Sequence, residues 1–177
     1  MGKFKDFIED LERVGFHEIG HYIFAVKIDE ENTSTPNLYY DSQLRGWIGV
    51  VKWDTSVITE TADRYRIAVA GFLTEARGMG KNQIDIDPGK LNEMAETIES
   101  SLPDTIEEDS LEGFQVDVFL NGKVDPEPAA CSFADFSWLE QKSNYDKNTC
   151  YQALKAASEF LNSTEGWQTV EALRFKI

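Results

Sequence analysis

Apolar residues recur at intervals of three and four near the start of the chain, at Phe4, Phe7, Ile8, Leu11 and Val14, and no proline interrupts until Pro36. That period predicts a helix over about residues 4 to 26. A polar, turn-forming stretch, DEENTSTPN, follows. Beyond it, NLYYDSQLRGWIGVVKW sets aromatic and β-branched residues around glycines, the pattern of two short strands. Asp54, Thr55 and Ser56 are capping types, and the helical spacing that comes after them closes on Gly78 and Gly80, predicting a second helix. A third is predicted from Pro88 to about Leu102, with Asp87 as N-cap and proline in the first turn.

From Pro103 the pattern is less regular. An acidic run leads to a candidate strand at FQVDVFL, a turn at Asn121-Gly122 and a loop at DPEPAA. Helical segments are predicted at SFADFSWLEQK, at NTCYQALKAASEFLNS and in the final EGWQTVEALRFKI. The reading is a mainly α (α+β) single domain over residues 1–177, with a small β-hairpin between the first two helices.

Composition narrows the partners. With 32 acidic against 17 basic residues the formal charge is -15, which repels nucleic acid and anionic lipid alike. No apolar run is long enough to cross a bilayer, and MGKFKDFIEDLE is too charged for a signal peptide, so the expected compartment is the cytoplasm. Cys131 and Cys150 lack CxxC spacing and read as two buried free thiols.

The chemistry sits in the first helix. His17-Glu18-Ile19-Gly20-His21 is an HExxH motif, and residues four apart on a helix share one face, so both imidazoles can grip one metal ion. Glu18, beside them, suits the general base that takes a proton from metal-activated water and delivers it to a leaving amine. These are the only two histidines in the chain, and they fall within its best amphipathic helix. The expected function is that of a zinc metalloendopeptidase acting on peptides or unfolded proteins. The alternative is a non-catalytic metal-binding or regulatory protein, to which Glu18 would be superfluous.

A catalytic zinc also needs a third protein ligand. The metzincin continuation is excluded, because Phe24 and Lys27 stand where its glycine and histidine belong. With no histidine left, the ligand must be a carboxylate, with cysteine less favoured; Glu75, Asp85 and Asp87 are the candidates. Asp117 and Asp135 are carboxylates of the kind that orient a ligating histidine, but the sequence puts neither near the motif. Trp47 to Trp53 suits either strand addition to a substrate or a hairpin that buries its aromatics, the second being favoured.

Residues 4 to 102 resemble the peptidase domain of the FtsH-type membrane AAA proteases. HEIGH matches that family's HEAGH, and Arg45-Gly46-Trp47-Ile48-Gly49-Val50 its glycine-bearing strand. Ala70-Gly71-Phe72-Leu73-Thr74-Glu75-Ala76 echoes its GGRxAEE-like segment, and Asp87 with Leu91, Met94 and Ala95 its aspartate-opened helix. The resemblance implies a zincin-like helical fold, Zn2+ as cofactor and His17, His21 and Asp87 as ligands. Asp85 is second choice, and Glu75 falls on the family's helix glutamate, a structural carboxylate. The chain departs from the family in lacking an ATPase module, a Walker motif and a transmembrane helix, and in a shorter spacing from Glu75 to Asp87. It reads as a free-standing relative whose residues 103–177 form a divergent helical part.

Overall fold

The computed structural model describes residues 2–174. Helix α1 spans Gly2–Val26 and strands β1 (Asn37–Asp41) and β2 (Gly46–Val50) pair as an antiparallel hairpin, with Tyr39 opposite Ile48. Helices α2 (Thr61–Gly80) and α3 (Pro88–Ser101) follow. A second antiparallel hairpin joins β3 (Gly113–Val118) to β4 (Glu127–Ser132), and a 3-10 helix, Phe133–Leu139, runs directly on from β4. Helices α4 (Lys147–Asn162) and α5 (Thr164–Arg174) complete the chain. The protein is thus mainly α with two small antiparallel sheets, and one of these lies between the motif helix and the second helix. None of the described helices is long and apolar enough to cross a membrane.

Helix α2 is the centre of the packing, with α1, α4 and β4 around it. Its apolar residues face inward almost all round: Tyr65, Ile67, Val69, Phe72 and Leu73 are fully buried. Such a helix is stable only when covered on every side, since each buried large side chain contributes about 1.5–3 kcal/mol that solvent contact would forfeit. Helix α1 differs. Phe4, Phe7 and Ile8 are exposed, and burial begins at Phe16 and continues through Ile19 and Ile23. Its second half crosses α2 so closely that a Cβ on Gly20 would lie 2.2 Å from the Ala70 carbonyl oxygen. One cluster of buried apolar side chains runs from Phe16 through Leu91 and Val116 to Val170. It therefore spans both sides of residue 102, where the family resemblance ends.

Two local expectations need correcting. Helix α2 starts at Thr61 after Glu60, not directly after Asp54–Ser56. Asp54 instead closes a turn of its own, its carboxylate accepting from the Ser56 N–H and hydroxyl. The DPEPAA segment is not wholly loop, because Glu127–Ser132 forms β4. Pro128 is tolerated there because a two-stranded sheet leaves each strand an open side. The SFADFSWLEQK segment is helical as expected, as a 3-10 helix over Phe133–Leu139. Both cysteines are buried and free.

Candidate metal centre

Helix α1 carries His17 and His21 one turn apart, on the side facing α2. The residue that meets them there is Gly71, and a Cβ at that position would lie 2.5 Å from His21 Nε2 and 2.8 Å from His17 Nε2. Only glycine leaves the rings their room. Each ring is held from behind. His21 Nδ1 is 2.7 Å from the Ile67 carbonyl oxygen, an acceptor, so Nδ1–H donates to it. His17 Nδ1–H donates in the same way to Glu75 Oε2 at 3.0 Å.

With the hydrogen on Nδ1, each neutral ring presents a lone pair at Nε2. Both lone pairs face Asp135 of the 3-10 helix: His17 Nε2 is 3.5 Å from Oδ2, and His21 Nε2 is 3.3 Å from Oδ1. The three donor atoms lie within 4.8 Å of one another, and His21 Nε2 is buried without a hydrogen-bond partner among the described residues. Three electron-pair donors converging in a buried place repel one another unless a cation, a metal ion or protons, lies among them. Two imidazoles and a carboxylate are a zinc donor set, so these residues fit the metal that the sequence implies. Without a metal the site favours protons. Burial pulls both histidine pKa values down, but Asp135, together with Glu75 for His17, outweighs it and leaves both raised. Burial pushes Asp135 up, and the two imidazoles more than reverse this, holding its carboxyl well below the usual range.

Glu18 lies alongside, 8% exposed, with burial raising its carboxyl above the ordinary value and the two imidazoles opposing that shift. It reaches β2, where a Cβ on Gly49 would stand 2.2 Å from Glu18 Cγ. All four groups open on a cleft of about 1480 Å3. Trp47 to Trp53 form one wall, and Ile106, Leu111 and Trp138 belong to the other. Trp47 packs on Phe7 and Tyr40, whereas Tyr39 and Tyr40 stay exposed, so the hairpin covers its tryptophan but not its tyrosines.

The structure brings His17, Glu18 and His21 together and does not bring Asp87 to them. Asp87 is the N-cap of α3, its carboxylate accepting from the Gly89 and Lys90 N–H groups, and it does not line the cleft. Asp85 pairs with Lys90 at 2.7 Å. Glu75, 1% exposed, supports His17 from behind and pairs with Arg13 at 2.9 Å. Asp117 lies on β3, away from the cleft lining. The carboxylate that meets both imidazoles is Asp135, which the sequence reading weighed only as an orienting partner. Its local signal is the Ser132-x-x-Asp135 capping box, in which Ser132 Oγ accepts from the helix backbone and Asp135 accepts from Ser132 N–H at 3.2 Å.

The chain matches no protein-family model and no curated protein sequence.

Proposed function

We propose that this protein is a zinc-dependent endopeptidase of peptides or unfolded polypeptides, working in the cytoplasm, with His17, His21 and Asp135 as metal ligands and Glu18 as general base and acid. The observation that carries the reading is the convergence of three lone-pair donors, His17 Nε2, His21 Nε2 and the Asp135 carboxylate, beside a buried glutamate at the floor of an open cleft. A relationship to the FtsH-type peptidase domain is part of the proposal. It is supported by HEIGH and by the succession of motif helix, hairpin and Glu75-bearing helix.

A zinc ion bound there would lower the pKa of a coordinated water to roughly 7 and polarise the scissile carbonyl. The protein's own groups do the rest. The Glu18 carboxylate, raised by burial, has the proton affinity to accept a proton from the attacking water and return it to the departing amine. Ile67 and Glu75 hold the two rings with Nε2 forward. Along β2 the Trp47 N–H is taken by Asp10 Oδ2 at 2.8 Å. In an antiparallel pair every second residue faces away from the partner strand, so Gly49, two residues on, presents its peptide group on that same outer edge. An extended substrate would pair its backbone there, with Glu18 at its side.

The test is zinc content by elemental mass spectrometry on untagged protein, followed by cleavage of a broad peptide panel. About one zinc per chain, lost in Asp135→Asn, together with cleavage abolished in zinc-replete Glu18→Gln, is the expected result. Cleavage that survives Glu18→Gln would remove the mechanism. Zinc without cleavage of any peptide would favour the non-catalytic metal-binding alternative.

A further inference from the structure

Behind the metal-facing side of His17 lies a buried carboxylate of α2 that bonds to two other elements, α1 and β4. Glu75 of α2 accepts from His17 Nδ1 through Oε2 at 3.0 Å, and from Arg13 Nη1 through Oε1 at 2.9 Å. Its Oε1 also receives the Ala130 N–H of β4 at 3.4 Å. Arg13 continues the link, donating to the Pro128 carbonyl at 3.2 Å and standing 3.8 Å from Glu127 Oε1. Strand β4 runs straight into the Ser132–Asp135 capping box. Arg13 and Glu75 therefore tie together the helix that carries both histidines and the strand that delivers the third carboxylate.

We propose that Arg13 and Glu75 act as a positioning pair for the metal site, fixing the His17 ring with Nε2 forward and setting the register of β4, and hence of Asp135, against α1. The inference rests on the metal reading above and goes beyond it, because neither residue touches the metal or the substrate. The donor inventory makes the role specific. Glu75 faces N–H donors through both oxygens, and only a carboxylate accepts on both. The isosteric Glu75→Gln must turn its amide either towards Arg13 and Ala130 or towards His17, and so loses one side. A positively charged neighbour is also what a carboxylate that is 1% exposed requires.

The experiment is a chelator competition with zinc on the full chain, read beside the cobalt-substituted visible spectrum and the melting temperature of the metal-free protein. Glu75→Gln should weaken zinc binding by about 10-fold to 100-fold, the usual effect of removing a carboxylate that supports a ligating histidine, and should alter the cobalt spectrum. Arg13→Met should weaken zinc in the same direction, and Arg13→Lys should recover most of the loss, a rescue that a purely packing role for Arg13 would not produce. If Glu75→Gln and Arg13→Met lower only the melting temperature and bind zinc like the parent protein, the pair is structural glue and the proposal is overturned. Absence of zinc from the unsubstituted protein would remove the metal reading, and the positioning role with it.

Discussion

At Gly71 a single methyl group would meet both imidazoles, and at Gly49 a single methyl group would meet the side chain of Glu18. Under the proposed function, these two residues would separate metal binding from chemistry. Gly71→Ala places its Cβ against ring atoms on a rigid helix crossing, so the rings must turn away from Asp135; loss of zinc, with the fold retained, is the expected outcome by elemental analysis and circular dichroism. Gly49→Ala displaces only Glu18, so zinc content should stay near that of the parent while peptide cleavage falls by about 10²-fold to 10⁴-fold, the range supplied by a positioned general base. Equal zinc loss in both variants would mean that Glu18 and the histidines do not occupy separate niches. HExxH itself was legible at this scale, because two histidines four apart on a helix share a face whatever the rest of the chain does.

Helices and strands determine which carboxylates can reach that face. Asp87 caps α3, its Oδ2 accepting from the Gly89 and Lys90 N–H groups. Asp135 is the third residue of the 3-10 helix, which its continuity with β4 carries to the motif. One is an N-cap and the other a first-turn residue, and only the placement of each helix decides which carboxylate meets the imidazoles. Asp87→Ala should therefore cost about 1 kcal/mol of stability, the usual loss of an N-cap, measured by denaturant unfolding, and leave zinc affinity unchanged. A variant that unfolds normally but no longer holds zinc would restore Asp87 as the ligand. β4 was hidden by Pro126, just before it, and Pro128, within it, because prolines mark loops in a sequence, yet one is admitted to a strand whose other edge pairs with no strand. The late start of α2 has a similar cause: Asp54 to Ser56 are capping residues, and they are used in a turn before the helix.

For the whole molecule, the convergence of like lone pairs makes the site a sink for positive charge, and stability should report this. His17 and His21 have folded-state pKa values raised above the ordinary 6.5, so at these two rings the metal-free folded chain binds protons more tightly than the unfolded one. Their contribution is complete below about pH 6.5 and is lost as the pH rises through the raised folded values. Zinc competes for the same lone pairs, so the rise in melting temperature on adding zinc should grow as the pH increases over that range. Thermal scans of metal-free and zinc-loaded protein above pH 6 would check this, and a zinc effect that shrinks with pH would contradict it. The core joins both halves of the chain, so these changes should appear as shifts of one transition.

Local pattern was sufficient for several elements that depend on neighbours along the chain, though not for β4 or the start of α2. The 3.6-residue period marked α1, the alternation of aromatic and β-branched residues around glycines marked the first hairpin, and Asp87-Pro88 marked the start of α3. The pairing of His17 and His21 on one face was legible for the same reason, since HExxH is a short-range spacing that one helical turn converts into geometry. What tertiary structure alone decided is the meeting of segments distant in sequence. Asp135 reaches the imidazoles because β4 packs on α2 beside α1, and Glu75 reaches Arg13 because two helices cross nearly backbone to backbone. Nothing in the local sequence of an aspartate records which distant surface its helix will face. That is set by how the apolar faces of α1, α2 and α4 and the second hairpin close around one core.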